Sequence, residues 1–143
     1  MNTTKLDAGR LLHRATLGLV LLFHSVYLKA VVFTLPGTAA YFSSIGLPEF
    51  SAYLVFLLEA VAGAALLIGY RVRLFSLAVI PVLVGATWAH AANGWLFTNP
   101  GGGWEYPLVL TAMAATQALL GAGTFAISRF PSENTGTTEG VTT

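Results

Sequence analysis

Four apolar runs divide the chain, at Leu11–Phe33, Phe50–Tyr70, Leu74–Ala92 and Tyr106–Ile127. Each is close to the ~20 residues that a helix needs to cross ~30 Å of hydrocarbon. In lipid every backbone polar group must find a partner inside the segment, so the runs predict helices and not strands. The basic stretch KLDAGRLLHR ahead of the first run would suit a signal peptide, but no small-x-small cleavage site follows, and the run reads as a retained span.

The connections differ in kind. GYRVR is a tight turn that makes the second and third spans antiparallel neighbours. TLPGTAAYFSSIGLPE is longer, and between its Pro and Gly breakers Ala40, Tyr41, Phe42 and Ile45 predict a short helix lying at the membrane interface. Pro48 suits the first turn of the second span. NGWLFTNPGGGWEYP is rich in Gly and aromatic residues, with Trp95, Trp104 and Tyr106 expected in the headgroup belt. The expected organisation is a cytoplasmic N-terminal segment at 1–10, a four-helix domain at 11–127 and a cytoplasmic, disordered tail at 128–143.

Composition agrees with spanning. Of 143 residues, 55% are apolar and 9% charged, against roughly 25% charged in ordinary soluble domains. No length is left for a separate catalytic head. Cys is absent, which removes disulfides, thiolate nucleophiles and thiolate metal ligands. Four spans place Lys5, Arg10, Arg14, Arg71, Arg73 and Arg129 on one side and Lys29 alone towards the other. This asymmetry predicts a multi-pass protein with both termini in the cytoplasm. Small residues mark expected helix contacts: Ala60, Gly63 and Ala64 in the second span, Gly85 and Ala89 in the third, Ala114, Ala118 and Ala122 in the fourth. Pro81 is expected to kink the third span. The fold expected is therefore an all-α, integral-membrane four-helix bundle with one short interfacial helix.

The candidate chemistry lies in the polar residues inside the spans. At ~1.5 Å per residue from the cytoplasmic ends, His24, Glu59 and His90 stand at roughly 20, 17 and 24 Å, and Lys29 begins slightly higher. Glu105 guards the outer mouth of the fourth span. A carboxyl at mid-membrane costs at least ~2.5–3.5 kcal/mol, so Glu59 must be paired, protonated or facing a cavity. It reads either as a proton acceptor or as the partner of Lys29 in a structural ion pair. For His24 and His90 three readings stay open: proton carriers with Glu59, bundle histidines bonded to backbone or Thr87, or axial haem or metal ligands. The spacing favours no metal site. His13 reads as a snorkelling residue near the cytoplasmic interface, and Gln117 as a bond to a neighbouring helix. Gly101–Gly103 lacks the Lys-Ser/Thr sequel of a phosphate loop, and no nucleotide or nucleic-acid site is suggested.

Several pieces together resemble the DoxX family of small four-helix bacterial membrane proteins. They are Lys29 closing the first span, YFSSIGLP, LLEAVAGAALLIGYRVR, His90, GGGWEYPLVL and LLGAGTFAI, spread over roughly Arg14 to Ile127. Ser25 stands where a Gly is common. The resemblance implies an inner-membrane subunit associated with quinone-linked oxidation, with Lys29, Glu59, His90 and Glu105 as its polar positions. Joined to the residue reading, it suggests a redox-associated subunit that binds a quinone-like molecule. His24, Lys29, Glu59 and His90 would handle protons, while Tyr27, Trp88, Trp104 and Glu105 would line the ligand. Electrons would come from a redox partner protein, and oligomerisation with further copies is left open. The alternative is a non-catalytic scaffold subunit whose polar cluster fixes helix register.

Overall fold

The structure is a computed structural model and describes residues 3–127. The described residues form helices and no strand: α1 (Thr3–Leu22), a π-helical continuation (Phe23–Val32), α2 (Leu35–Ser44), α3 (Glu49–Ile68), α4 (Val72–Ala89), a short 3-10 turn (Ala91–Asn93) and α5 (Glu105–Leu120). Three of these helical stretches are long and apolar enough to cross a membrane, namely Thr3–Val32, Glu49–Ile68 and Val72–Ala89. The expected disordered tail lies outside the described residues.

Helix α1 packs on α3 and α5, α3 on α4, and α4 on α5, while α2 lies against α3 and the π segment. Leu17, Leu21, Ala62, Leu66, Val72, Val79, Leu83, Leu110 and Ala114 meet in the centre. Where α1 crosses α3 the backbones nearly touch. A Cβ on Gly63 would stand 2.8 Å from the Gly18 carbonyl, and one on Gly18 would stand 2.8 Å from the Gly63 carbonyl. Such an approach supplies the van der Waals contact on which helix association in lipid depends. Gly63 and Ala114 thus act as expected, but Gly85 does not. It is exposed, and a Cβ there would meet nothing within 4 Å.

The boundaries correct the sequence reading in four places. The first helix begins at Thr3, well ahead of Leu11, because its first turns are held by Asp7, which pairs with Arg10 at 3.1 Å and bonds Thr124. Helix α2 begins at Leu35 and takes Pro36 into its first turn, where a missing N–H costs nothing; Thr34 caps it by accepting from Gly37 N at 3.2 Å. Helix α4, the third of the expected spans, stops at Ala89, three residues short of Ala92, and continues through Pro81. The fourth run stops being helical at Leu120, because Gly121 and Gly123 adopt φ of 71° and 72°. Residues 121–127 instead fold back to α3, where Ile127 N donates to the Ile68 carbonyl at 3.3 Å.

That return is secured by Arg14. Its side chain is 1% exposed, and it donates from Nη1 to the carbonyls of Leu66 and Leu67 at 2.6 and 2.7 Å and from Nη2 to that of Phe125. The last carbonyls of a helix lack intrahelical partners, and a planar guanidinium with five donors is suited to collect them. Gly69, at φ 78°, closes α3 beside it. At the same end His13 donates from Nδ1 to Gln117 Oε1 at 2.8 Å, and Gln117 donates to the Gly121 carbonyl at 2.7 Å. His13 is therefore part of the bundle and not a snorkelling residue, whereas Gln117 bridges to a neighbouring helix as expected.

Candidate functional site

The opposite half of the bundle holds His24, Lys29, Glu59 and His90. The geometry begins with the winding of residues 23–32. In an α-helix His24 and Lys29, five residues apart, would face about 140° away from each other. Bonding from i to i+5, as in Phe33 N to the Leu28 carbonyl at 2.8 Å, sets residues five apart nearly above one another. The π segment thereby turns both residues towards the same side, and its Ser25 is wholly buried.

Lys29 Nζ pairs with Glu59 Oε2 of α3. With the Glu59 side chain 6% exposed, this is a buried ion pair joining two helices. Removing one partner of such a pair costs about 3–5 kcal/mol, while replacing both by apolar groups is often neutral. Of the two readings of Glu59, the pairing with Lys29 is therefore realised in the geometry.

His24 and His90 share a design. Nδ1 of His24 meets the Val20 carbonyl at 3.2 Å, and Nδ1 of His90 meets the Ala86 carbonyl at 2.8 Å. A carbonyl can only accept, so Nδ1 carries the proton in each neutral ring and Nε2 is left as the acceptor. Lys29, Glu59 and His90 all lie within electrostatic range of His24. His24, Glu59 and His90, expected to share a level, and Lys29, expected slightly higher, are thus brought into one neighbourhood from the π segment, α3 and α4. Among the described residues no group of three or more His, Cys, Asp or Glu could hold a metal ion.

The expected ligand-lining residues are distributed differently. Tyr27 is exposed and meets Phe23 edge to face at 6.3 Å on the outward side of the π segment. Trp88 and Trp104 line a shallow apolar groove of about 420 Å³ between α4 and α5, together with Val84, Thr87, Leu108 and Thr111. Trp104 also packs edge to face on Trp95 at 4.5 Å. Glu105 closes the 94–104 loop by accepting from Phe97 N at 3.3 Å.

The aromatic residue that joins the cluster is Tyr106, whose ring stacks on His24 at 5.4 Å and 27°. From its position in an aromatic loop it reads as a headgroup residue, and nothing in the local sequence distinguishes it from Trp104. The glycine-rich loop also lies over the cluster. Asn93 donates to the carbonyls of Gly101 and Gly102 at 3.1 and 2.9 Å, and a Cβ on Gly102 would come within 3.5 Å of the His90 ring. At Gly103 a side chain is excluded outright, since its Cβ would stand 2.3–2.6 Å from the carbonyls of Gly94, Trp95 and Leu96.

Apolar side chains such as Leu12, Leu19, Leu54, Leu57, Leu77 and Val84 are exposed, while Arg14, Ser25, Glu59, Ser76 and Gln117 are buried. This inside-out distribution on helices of membrane length defines a helical membrane protein. Residues 9–92 match the model of the DoxX family, and the chain belongs to that family. The matched part holds His24, Lys29, Glu59 and His90, whereas α5 with Glu105 and Tyr106 lies beyond it. No curated protein and no solved structure matches the chain.

Proposed function

We propose that the chain is a redox-associated subunit of the bacterial inner membrane that binds a quinone-like molecule beside the Lys29–Glu59 pair. The observation that carries this reading is the pair of imidazoles, each anchored through Nδ1 to its own helix, with His24 in electrostatic range of the other three groups. A quinone supplies a two-electron couple whose reduction takes up two protons, and its oxygens need donors within hydrogen-bond reach. Nε2 of His24 and of His90 would serve as the donors when the rings are protonated. Glu59 would exchange protons with them through Lys29, and Tyr106, stacked on His24, offers a flat apolar face to a ring. The chain has no Cys, so the electrons would come from a partner protein.

In the membrane, α1 with its π continuation, α3, α4 and α5 would form a four-helix bundle and α2 would lie at the interface. The 16 residues of α5 cover about 24 Å, and residues 121–127 would complete the crossing. Six of the seven Lys and Arg residues then lie on the side of the termini, which supports a cytoplasmic location for both.

A second reading, a non-catalytic scaffold subunit, is favoured by the Lys29–Glu59 pair itself, since a buried ion pair between helices can serve to fix register. The two separate on one comparison. The purified chain in detergent is extracted with organic solvent, and the extract is chromatographed for quinone. His90→Ala and the joint change Lys29→Met with Glu59→Gln are expected to lose at least tenfold of the retained quinone while the unfolding temperature holds. Loss of stability alone, with quinone absent or unchanged, would leave the scaffold.

A further inference from the structure

The four long helices repeat one order of side chains on the faces they turn inward. Along α1 and its continuation, buried Arg14 is followed by Leu17, Leu21 and then His24; along α3, read backwards, Leu66 and Ala62 precede Glu59. On α4 Ser76 is followed by Val79, Leu83 and then His90, and on α5, again read backwards, Gln117 by Ala114, Leu110 and then Tyr106. Intervals of three, four and seven residues keep each series near one face of its helix. Contacts between helices hold the series in step: His13 with Gln117 and Arg14 with the Leu66 carbonyl at one end, Lys29 with Glu59 and His24 on Tyr106 at the other. An apolar layer therefore separates the Arg14–Ser76–Gln117 level from the Lys29–Glu59 cluster.

That layer is closed. Its side chains are all buried and form one cluster. No titratable side chain occurs in residues 15–23, 60–68, 77–89 or 107–116, and Thr16, Thr87 and Thr111 donate back to carbonyls of their own helices. The two polar levels stand about 15 Å apart along α1 and about 16 Å apart along α5. A proton relay advances by hydrogen bonds of about 3 Å, so it would need several stations where the sequence supplies none. Towards the other end the cluster opens. His90 ends α4 and is half-buried, Tyr106 is 39% exposed, and the loop residue beside the His90 ring is Gly102, which adds no side chain.

We propose that the Lys29–Glu59 cluster exchanges protons with the aqueous phase on the side of the 94–104 loop alone, the apolar layer closing it to the phase on the Arg14 side. The groups gathered there are His24 and Lys29 from the π segment, Glu59 from α3, His90 from α4 and Tyr106 from α5, and the route out runs by way of His90. A proton-exchanging ligand beside the pair would take its protons from, and return them to, one compartment. In that consequence the inference rests on the quinone reading; the layer and the route through His90 do not.

The absence of Cys makes the test direct, since one introduced thiol is then the only thiol in the chain. A thiol reacts as its thiolate, so modification by a small cationic methanethiosulfonate reports contact with water. Variants of the full-length chain with one Cys each are labelled in spheroplasts and in inverted membrane vesicles, which present the two sides in turn. Thr98→Cys and Lys5→Cys, both at exposed positions, mark the sides. His90→Cys and Tyr106→Cys are expected to react from the side that labels Thr98→Cys, and at least tenfold more slowly from the other. Leu17→Cys and Ala114→Cys, folded by their unfolding temperatures, should react at least tenfold more slowly than Thr98→Cys from either side. The unaltered chain in liposomes under a potassium diffusion potential should pass protons no faster than protein-free vesicles. Reaction of His90→Cys and Tyr106→Cys from the Lys5 side or from neither side, reaction of a layer position at the rate of Thr98→Cys, or a proton leak above that of protein-free vesicles would each overturn the assignment. No quinone enters these assays, so failure of the quinone reading leaves their outcome standing.

Discussion

Arg14 shows how much a single side chain can do in this chain. By charge alone it belongs with Lys5, Arg10, Arg71 and Arg73 as a topology signal, and its sequence neighbours say nothing more. Its burial and its bonds to Leu66, Leu67 and Phe125 make it a clasp over the end of α3. Arg14→Met would take a donor from the Leu67 and Phe125 carbonyls, while that of Leu66 keeps Gly69 N, at a cost of about 1–3 kcal/mol. Thermal unfolding in detergent should show the loss, and Arg14→Lys should recover little, since an ammonium on a flexible stem cannot reproduce the planar fork. Glu59 is the opposite case. The expense of a lone carboxylate at mid-membrane points to a partner from sequence alone, and Lys29 supplies it.

At the scale of elements, the decisive departure from expectation is the winding after Leu22. A reading at 3.6 residues per turn finds the span but assigns its faces wrongly, because nothing in FHSVYLKAVV announces a five-residue period. Two deletions test whether that winding serves to aim Lys29. Removing Val26, which is exposed, shortens the His24–Lys29 interval to the four residues that an α-helix stacks, so Lys29 should still meet Glu59. Removing Val31, also exposed, leaves the interval at five. If that segment relaxes to an α-helix, Lys29 turns away and the pair opens, at about 3–5 kcal/mol for a buried charge left alone. Unfolding temperatures of the two variants should therefore separate clearly, with the Val31 deletion the lower. The end of α5 was legible in principle, since Gly121 and Gly123 are the residues that adopt positive φ and stop a helix; the apolarity of LLGAGTFAI masks that signal.

For the molecule as a whole, helix content, three of the four membrane-length runs and the family were open to reading, because hydropathy and backbone satisfaction act locally and strongly. What escaped depends on distant segments meeting: Tyr106 on His24, His13 with Gln117, and residues 121–127 against α3. Those contacts are pairwise and polar, and no periodicity encodes them.

The Arg14 clasp also carries a consequence in time. The arginine emerges from the ribosome in the first helix, its Leu66 and Leu67 acceptors follow some fifty residues later, and its Phe125 acceptor comes last. Through most of synthesis the guanidinium has an incomplete set of partners, so the nascent bundle stays a provisional assembly until the closing segment arrives. A chain halted after Leu120 should insert yet be cleared by membrane proteases within minutes in a pulse–chase experiment, whereas one that carries residues 121–127 as well should persist.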